Sequence, residues 1–349
     1  MTADRAPLKL RADNFTPPTR TPWGGTRIRE RYKAGLGLAP GDAVVGESWE
    51  ISVEPSFPST VAGSDTTLSE VIAGAPEAWL GAAVVARHGG QTPLLIKLLD
   101  AAENLSVQVH PADGDPTLAE GESGKPEAWI ILDAAPGASL YLGFRNGVDR
   151  AAVEGCIEAG GALDELLNRV PVAPGDAFII EAGTPHAIGA GVTLIEPQIV
   201  SAGRRGITYR YWDWNRRYDD QGKLDAAGEP RQLHLQRSLA VTGWDGPRGD
   251  AFVATCRTRR SVLEPGPLER AVAIDWEHFV TEQWRGSGAL SLAEQGTMVA
   301  VTCVGGRLRL QGATGALELA CGESGVVPAA AGALTVEADE ALAYAVRAR

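Results

Sequence analysis

The chain has 349 residues, with 32 Lys and Arg against 44 Asp and Glu, a formal charge of −12 and 44% apolar content. That length suffices for two folded units with their own cores, and the composition excludes a largely disordered chain. An acidic balance argues against the clustered basic face that nucleic acid or an anionic membrane demands, so neither is expected as a partner.

The first residues, Met1-Thr2-Ala3-Asp4-Arg5-Ala6-Pro7, hold no apolar core followed by a cleavage site. No run of the chain reaches the ~18 apolar residues of a membrane span. The expected location is the cytoplasm. Short β-branched runs between glycines and prolines predict strands at 48–53, 93–99, 105–110, 128–132, 139–142, 176–180, 192–196, 298–304, 307–311, 316–319 and 333–337. Helical spacing spans 67–87, with Pro76 breaking it, and shorter helices are expected at 151–158, 162–169 and 233–241. Helices on an all-β frame without long parallel crossovers predict a jelly roll or related sandwich.

Trp244-Asp245-Gly246-Pro247-Arg248-Gly249 reads as a linker, dividing the chain into domains 1–245 and 250–349. Past it, strands punctuated by Gly305-Gly306 and by Gly322-Glu323-Ser324-Gly325 predict a second, smaller β-barrel without a metal site. Cys156, Cys256, Cys303 and Cys321 show no paired short spacing and are expected as core thiols.

Chemistry concentrates around three segments. In Leu105-Ser106-Val107-Gln108-Val109-His110-Pro111, the period of two puts Ser106, Gln108 and His110 on one face and the valines on the other. Gly124-Lys125-Pro126-Glu127 then opens an apolar strand with a carboxylate, which wants a cationic partner when buried. The third segment, Pro174 to Gly191, is a strand, a glycine turn and then His186. Together Gln108, His110, Glu127 and His186 offer two imidazole nitrogens and two side-chain oxygens, a set suited to zinc, iron or manganese.

Gln-Val-His-Pro, Gly-Lys-Pro-Glu and Ala-Gly-Thr-Pro-His-Ala-Ile-Gly-Ala-Gly, in this order, resemble the type I mannose-6-phosphate isomerases, zinc enzymes of the cupin superfamily. Trp23-Gly24-Gly25, Gly46 to Ser52, Pro93 to Ala101, Thr208-Tyr209-Arg210 and Arg231 to Leu235 extend the resemblance over nearly the whole chain. It implies a cupin jelly-roll barrel with a smaller C-terminal barrel, and one Zn2+ per chain on Gln108, His110, Glu127 and His186, other divalent metals being possible. It also implies a sugar phosphate held by Lys97, Ser106, Lys125 and Arg210, with Glu196 as proton-transfer residue and Arg210 and Lys125 assisting. The reaction implied interconverts mannose 6-phosphate and fructose 6-phosphate through a cis-enediol. Alternatives are a cupin isomerase acting on another sugar and a non-enzymatic sugar-binding cupin.

Glu47 and Trp49 are expected to be structural, His234 to pack or to hydrogen-bond behind the site, and His88 and His278 to fill surface or core. Three features depart from the family pattern: Glu181 replaces a proline, Pro197-Gln198 is expected to interrupt a strand, and Gly203-Arg204-Arg205-Gly206 replaces a polar stretch. The sugar side of the pocket is therefore expected to differ.

Overall fold

The computed structural model describes residues 5–39, 41 and 44–349, so Met1 to Asp4 of the N-terminal reading lie outside the described residues. Two five-stranded antiparallel sheets face each other. The first runs, in spatial order, Glu47–Ile51, Leu94–Asp100, Val192–Ile199, Glu127–Ala134, Ala177–Ile180. The second runs Tyr209–Trp212, Val107–Val109, His186–Ile188, Ser139–Phe144, Leu167–Pro171. Leu99, Trp129, Ile131, Phe178 and Leu194 of the first meet Leu140, Leu142, Val170 and Ile188 of the second in one apolar layer. This is the jelly-roll sandwich that the strand pattern predicts.

Both sheets are also covered on their outer faces. Ile51, Ile96, Leu98, Ile130 and Ile195 pack against the helices of 68–88 and against the C-terminal sheet. Val107, Val109, Tyr209 and Tyr211 are covered by Val153 and Leu239, from the helices Arg150–Glu158 and Leu235–Val241. Coverage on two sides is why Leu94–Asp100 reads as an almost unbroken apolar run, every residue of it buried.

The helical reading of 67–87 resolves into Leu68–Gly74, Pro76–Leu80 and Ala82–His88. Thr67 and Glu70 close a capping box at its start. The second break, beyond the expected one at Pro76, falls at Gly81. Its φ is +81°, and a Cβ there would stand 2.0 Å from the Gly296 carbonyl oxygen. The helix expected over 162–169 is instead one 3-10 turn, Leu163–Leu166, running into the strand Leu167–Pro171. Pairing of that strand with Ser139–Phe144, which buries Leu167 and Val170, overrides the local helical spacing.

Two further expectations are corrected. Val192–Ile199 runs straight through Pro197, which lies opposite Ile96. On its other flank the register is kept from Ile195 opposite Ile130 to Gln198 opposite Glu127, with the pairs at 196 and 197 left out where the proline has no N–H to donate. Gly305-Gly306 is likewise not a turn. The strand Val299–Gly312 continues through it as a bulge, its register against Leu334–Ala348 shifting on both sides of Gly305.

The third sheet has eight strands, and all but one come from 261–348. The exception is Leu8–Lys9, which pairs with Ser324–Val327 at one edge. Long bent strands enclose a separate core that includes Trp284, Val301, Leu310 and Val336. Of the four free cysteines, Cys256 and Cys303 are buried as expected, whereas Cys156 and Cys321 are only partly covered.

Candidate metal centre

At one end of the gap between the facing sheets, apolar side chains give way to polar ones. His110 follows the Val107–Val109 strand, Glu127 opens Glu127–Ala134, and His186 opens His186–Ile188 just after the Gly183 turn. His110 Nε2 lies 3.2 Å from Glu127 Oε2, and His186 Nε2 lies 3.3 Å from Glu127 Oε1. All three side chains are at most 2% exposed. One donor atom from each falls within 4.8 Å of the others.

The protonation of these groups follows from their surroundings. His110 donates its Nδ1–H to the Ile207 carbonyl at 3.0 Å, and His186 donates its own to the Thr184 carbonyl at 2.8 Å. Each Nε2 is left with a lone pair. Burial, helped by the Lys125 charge, pushes the His110 imidazole down to about 3, and burial lowers His186 as well, so both rings are neutral. Burial opposes ionisation of Glu127, but the surrounding groups, the adjacent Lys125 ammonium foremost among them, together hold the carboxyl well below its ordinary value. His110 Nε2, His186 Nε2 and Glu127 Oε1 are buried without any hydrogen-bond partner. Buried polar atoms are ordinarily satisfied, and two lone pairs facing a carboxylate oxygen fit a divalent cation. Gln108 lies on the neighbouring strand, opposite His186 on one side and Arg210 on the other.

Beside the cluster lies a cavity of about 400 Å³, with Lys97, Ser106, Gln108, Lys125, Glu196 and Arg210 in its walls. Every site residue singled out from the sequence is therefore in the cluster or lining this cavity. Lys97, a lysine inside an apolar strand, finds the carboxylates it requires. Its Nζ is 3.6 Å from Glu196 and 3.8 Å from Glu47, and 4.5 Å above the Trp49 ring. Glu196 accepts the indole N–H of Trp129 at 2.9 Å. Burial and then the Glu127 charge push the Glu196 carboxyl up to about 7. Burial acts to lower Lys125, yet the carboxylates of Glu127 and Glu196 prevail and its ammonium is raised. Arg210 donates its Nε–H to Ser106 Oγ at 3.0 Å and an Nη–H to the Gln232 carbonyl at 3.1 Å. Burial and the nearby Arg231 bring it down to about 10, which leaves it cationic at neutral pH.

Glu47 and Trp49, expected from the sequence to be structural, also border the cavity, Trp49 being buried against Leu95 and Val200. Burial works against Glu47, but Lys97 and the Trp49 indole, which donates at 2.8 Å, keep its carboxyl low. His234 also lines the cavity, and its Nδ1 accepts the Arg210 backbone N–H at 3.2 Å. Arg20, Arg205, Arg231 and Arg237 complete a cationic mouth in an otherwise acidic protein. These arginines come from two loops, a two-residue strand and one helix, and no local sequence pattern joins them. A charged Glu47 two residues before Trp49, in a strand otherwise buried, is the one signal that pointed inward.

A jelly roll carrying neutral imidazoles and a carboxylate beside a cation-lined pocket places the chain among metal-binding enzymes of the cupin type. Residues 18–136 match the model of the phosphomannose isomerase type I catalytic domain. The chain is 31% identical over 292 residues to the mannose-6-phosphate isomerase of Streptococcus mutans, covering 82% of this chain and 83% of that protein. It is 31% identical over 300 residues to mannose-6-phosphate isomerase ManA of Bacillus subtilis, with 82% and 83% covered. The crystal structure of the mannose 6-phosphate isomerase from Bacillus subtilis superposes with a TM-score of 0.79 at 26% identity, over 98% of this chain and 99% of that one. A zinc-bound mannose 6-phosphate isomerase shares the fold, with a TM-score of 0.69 at 19% identity over 99% of this chain and 100% of that one. The chain belongs to the mannose-6-phosphate isomerase family and is an aldose–ketose isomerase.

Proposed function

We propose that the protein interconverts mannose 6-phosphate and fructose 6-phosphate at one zinc per chain, held by Gln108, His110, Glu127 and His186. The observation that carries this reading is the set of buried, unpartnered ligand atoms directly beside Glu196 and the cationic cavity. A bound divalent cation supplies Lewis-acid polarisation of the sugar oxygens. Glu196 takes the proton from C2 of the aldose as the carbonyl oxygen at C1 is protonated, giving a cis-enediol. Return of the proton to C1, with loss of the O2 proton, yields the ketose. Lys125, already bonded to Glu127, stands where charge develops on the sugar oxygens. Arg210, bonded to Ser106, and Lys97 hold the phosphate end. A cytoplasmic location and the division into units 1–245 and 250–349 belong to the same reading.

The test is a coupled assay of zinc-loaded protein with mannose 6-phosphate, run beside a chelator-treated sample, the His110→Ala variant and unphosphorylated mannose. Turnover is expected only in the loaded wild type with the phosphorylated sugar, restored after chelation by added zinc. Equal rates with and without the phosphate would overturn the sugar-phosphate assignment. Wild-type metal content in His110→Ala would overturn the ligand assignment.

A further inference from the structure

We infer that Gln198 is a positioning residue for the metal centre, its side-chain amide fixing the Glu127 carboxylate so that one oxygen is kept for the cation. The inference rests on reading Glu127 as a ligand. Gln198 lies directly opposite Glu127 in the pairing of Val192–Ile199 with Glu127–Ala134. It shares its face of the strand with Glu196, two residues earlier. Its side chain is fully buried, and its Nε2 donates to Glu127 Oε2 at 2.7 Å.

The hydrogen bonds to the carboxylate are unevenly divided. Glu127 Oε2 receives Gln198 and also stands 3.2 Å from Lys125 Nζ, whereas Oε1 receives nothing. The two imidazoles face the carboxylate with lone pairs, so they cannot orient it by donation. Lysine is a flexible point charge that a substrate oxygen or phosphate can draw away. Gln198 is the fixed donor, anchored on a central strand. Bonded through Oε2, the carboxylate keeps Oε1 turned toward His186 Nε2.

Stability does not account for a glutamine here. Its own Oε1 is buried with no partner, so its amide makes one useful bond and leaves an acceptor orphaned. An apolar side chain of the same length would fill the space without that penalty. What it would lose is control of Glu127, and partners that orient metal ligands are worth roughly 10- to 100-fold in metal affinity.

The experiment titrates chelator-stripped protein with cobalt(II) against a chromogenic competitor and records the visible d–d bands, for wild type, Gln198→Met and Gln198→Asn. Methionine keeps the length without the donor. Asparagine keeps the amide but falls one methylene short of Glu127. Both variants are expected to bind cobalt about 10- to 100-fold more weakly, with displaced bands, while KM of the zinc-loaded enzyme for mannose 6-phosphate stays within about twofold of wild type. Circular dichroism establishes which variants are folded, and the shorter polar variant carries the test if methionine is not accommodated. Wild-type affinity and unshifted bands in either folded variant would overturn the inference. Failure of the wild type itself to bind cobalt would overturn the ligand reading instead, and the inference with it.

Discussion

Glu196 and Glu127 are both fully enclosed carboxyls, yet their surroundings drive them apart: one is pushed up to about 7 and the other is held well below its ordinary value. Opposed shifts of this kind separate a group that exchanges a proton from one that keeps its charge. As a base Glu196 must be ionised, so turnover is expected to fall as pH drops through its pKa. A bound cation favours the ionised form, which places the acid limb of kcat between the ordinary carboxyl value and about 7. Glu196→Gln should lower kcat by roughly 100- to 10,000-fold with metal content unchanged. A pH–rate profile together with metal analysis checks both, and a variant within tenfold of wild type would remove Glu196 from the proton transfer. Much of this site was legible in the sequence, because Gln108 and His110 alternate with the valines beside them, Glu127 puts a carboxylate at the head of an apolar strand, and His186 follows a glycine turn. The placement of Glu47 and of the arginines of the mouth was not, since only tertiary packing brings them to one cavity.

Among the elements, the short segment around Gly206 does more than its length suggests. Arg205–Gly206 pairs in parallel with Glu122–Ser123, the Ile207 N–H donates to Ser123, and the Ile207 carbonyl receives His110. One strap thus braces His110 and the approach to Lys125. A Cβ at Gly206 would lie 3.0 Å from Lys125 Cδ and 3.1 Å from Val200 Cγ2. Gly206→Val should therefore displace Lys125 and lower kcat/KM by roughly 10- to 100-fold, Gly206→Ala by less, with the unfolding midpoint nearly unchanged. Steady-state kinetics beside urea unfolding separate this from a general loss of fold. From the sequence this stretch reads only as a departure from the family pattern. Strands with clear alternation were legible to within a few residues. The C-terminal end of Val192–Ile199 and the bulge at Gly305 were not, because a proline or a glycine pair marks a turn by local rules and only a neighbouring strand overrides them.

Across the whole molecule, the jelly roll and the eight-stranded sheet are joined by a buried ion pair. Lys33 Nζ lies 2.7 Å from Glu50 Oε1, both side chains at most 1% exposed. Glu50 Oε2 accepts Ser324 Oγ from the far sheet at 2.7 Å, while Lys33 also donates to the Ala12 carbonyl at 2.8 Å. Lys33→Met would strand a buried carboxylate and should destabilise the protein by about 3–5 kcal/mol, without changing the metal content of the folded fraction. Urea unfolding checks the first expectation and metal analysis the second; a loss under 1 kcal/mol would show that the junction does not depend on the pair. Another link between the units is the pairing of Leu8 with Val326. During synthesis at about 5–20 residues per second, the strand at the start of the chain leaves the ribosome roughly 16–60 s before its partner is made. Leu8–Lys9 thus waits through the synthesis of the whole jelly roll before it can take its place, and the eight-stranded sheet cannot gain that edge until Ser324–Val327 has been made.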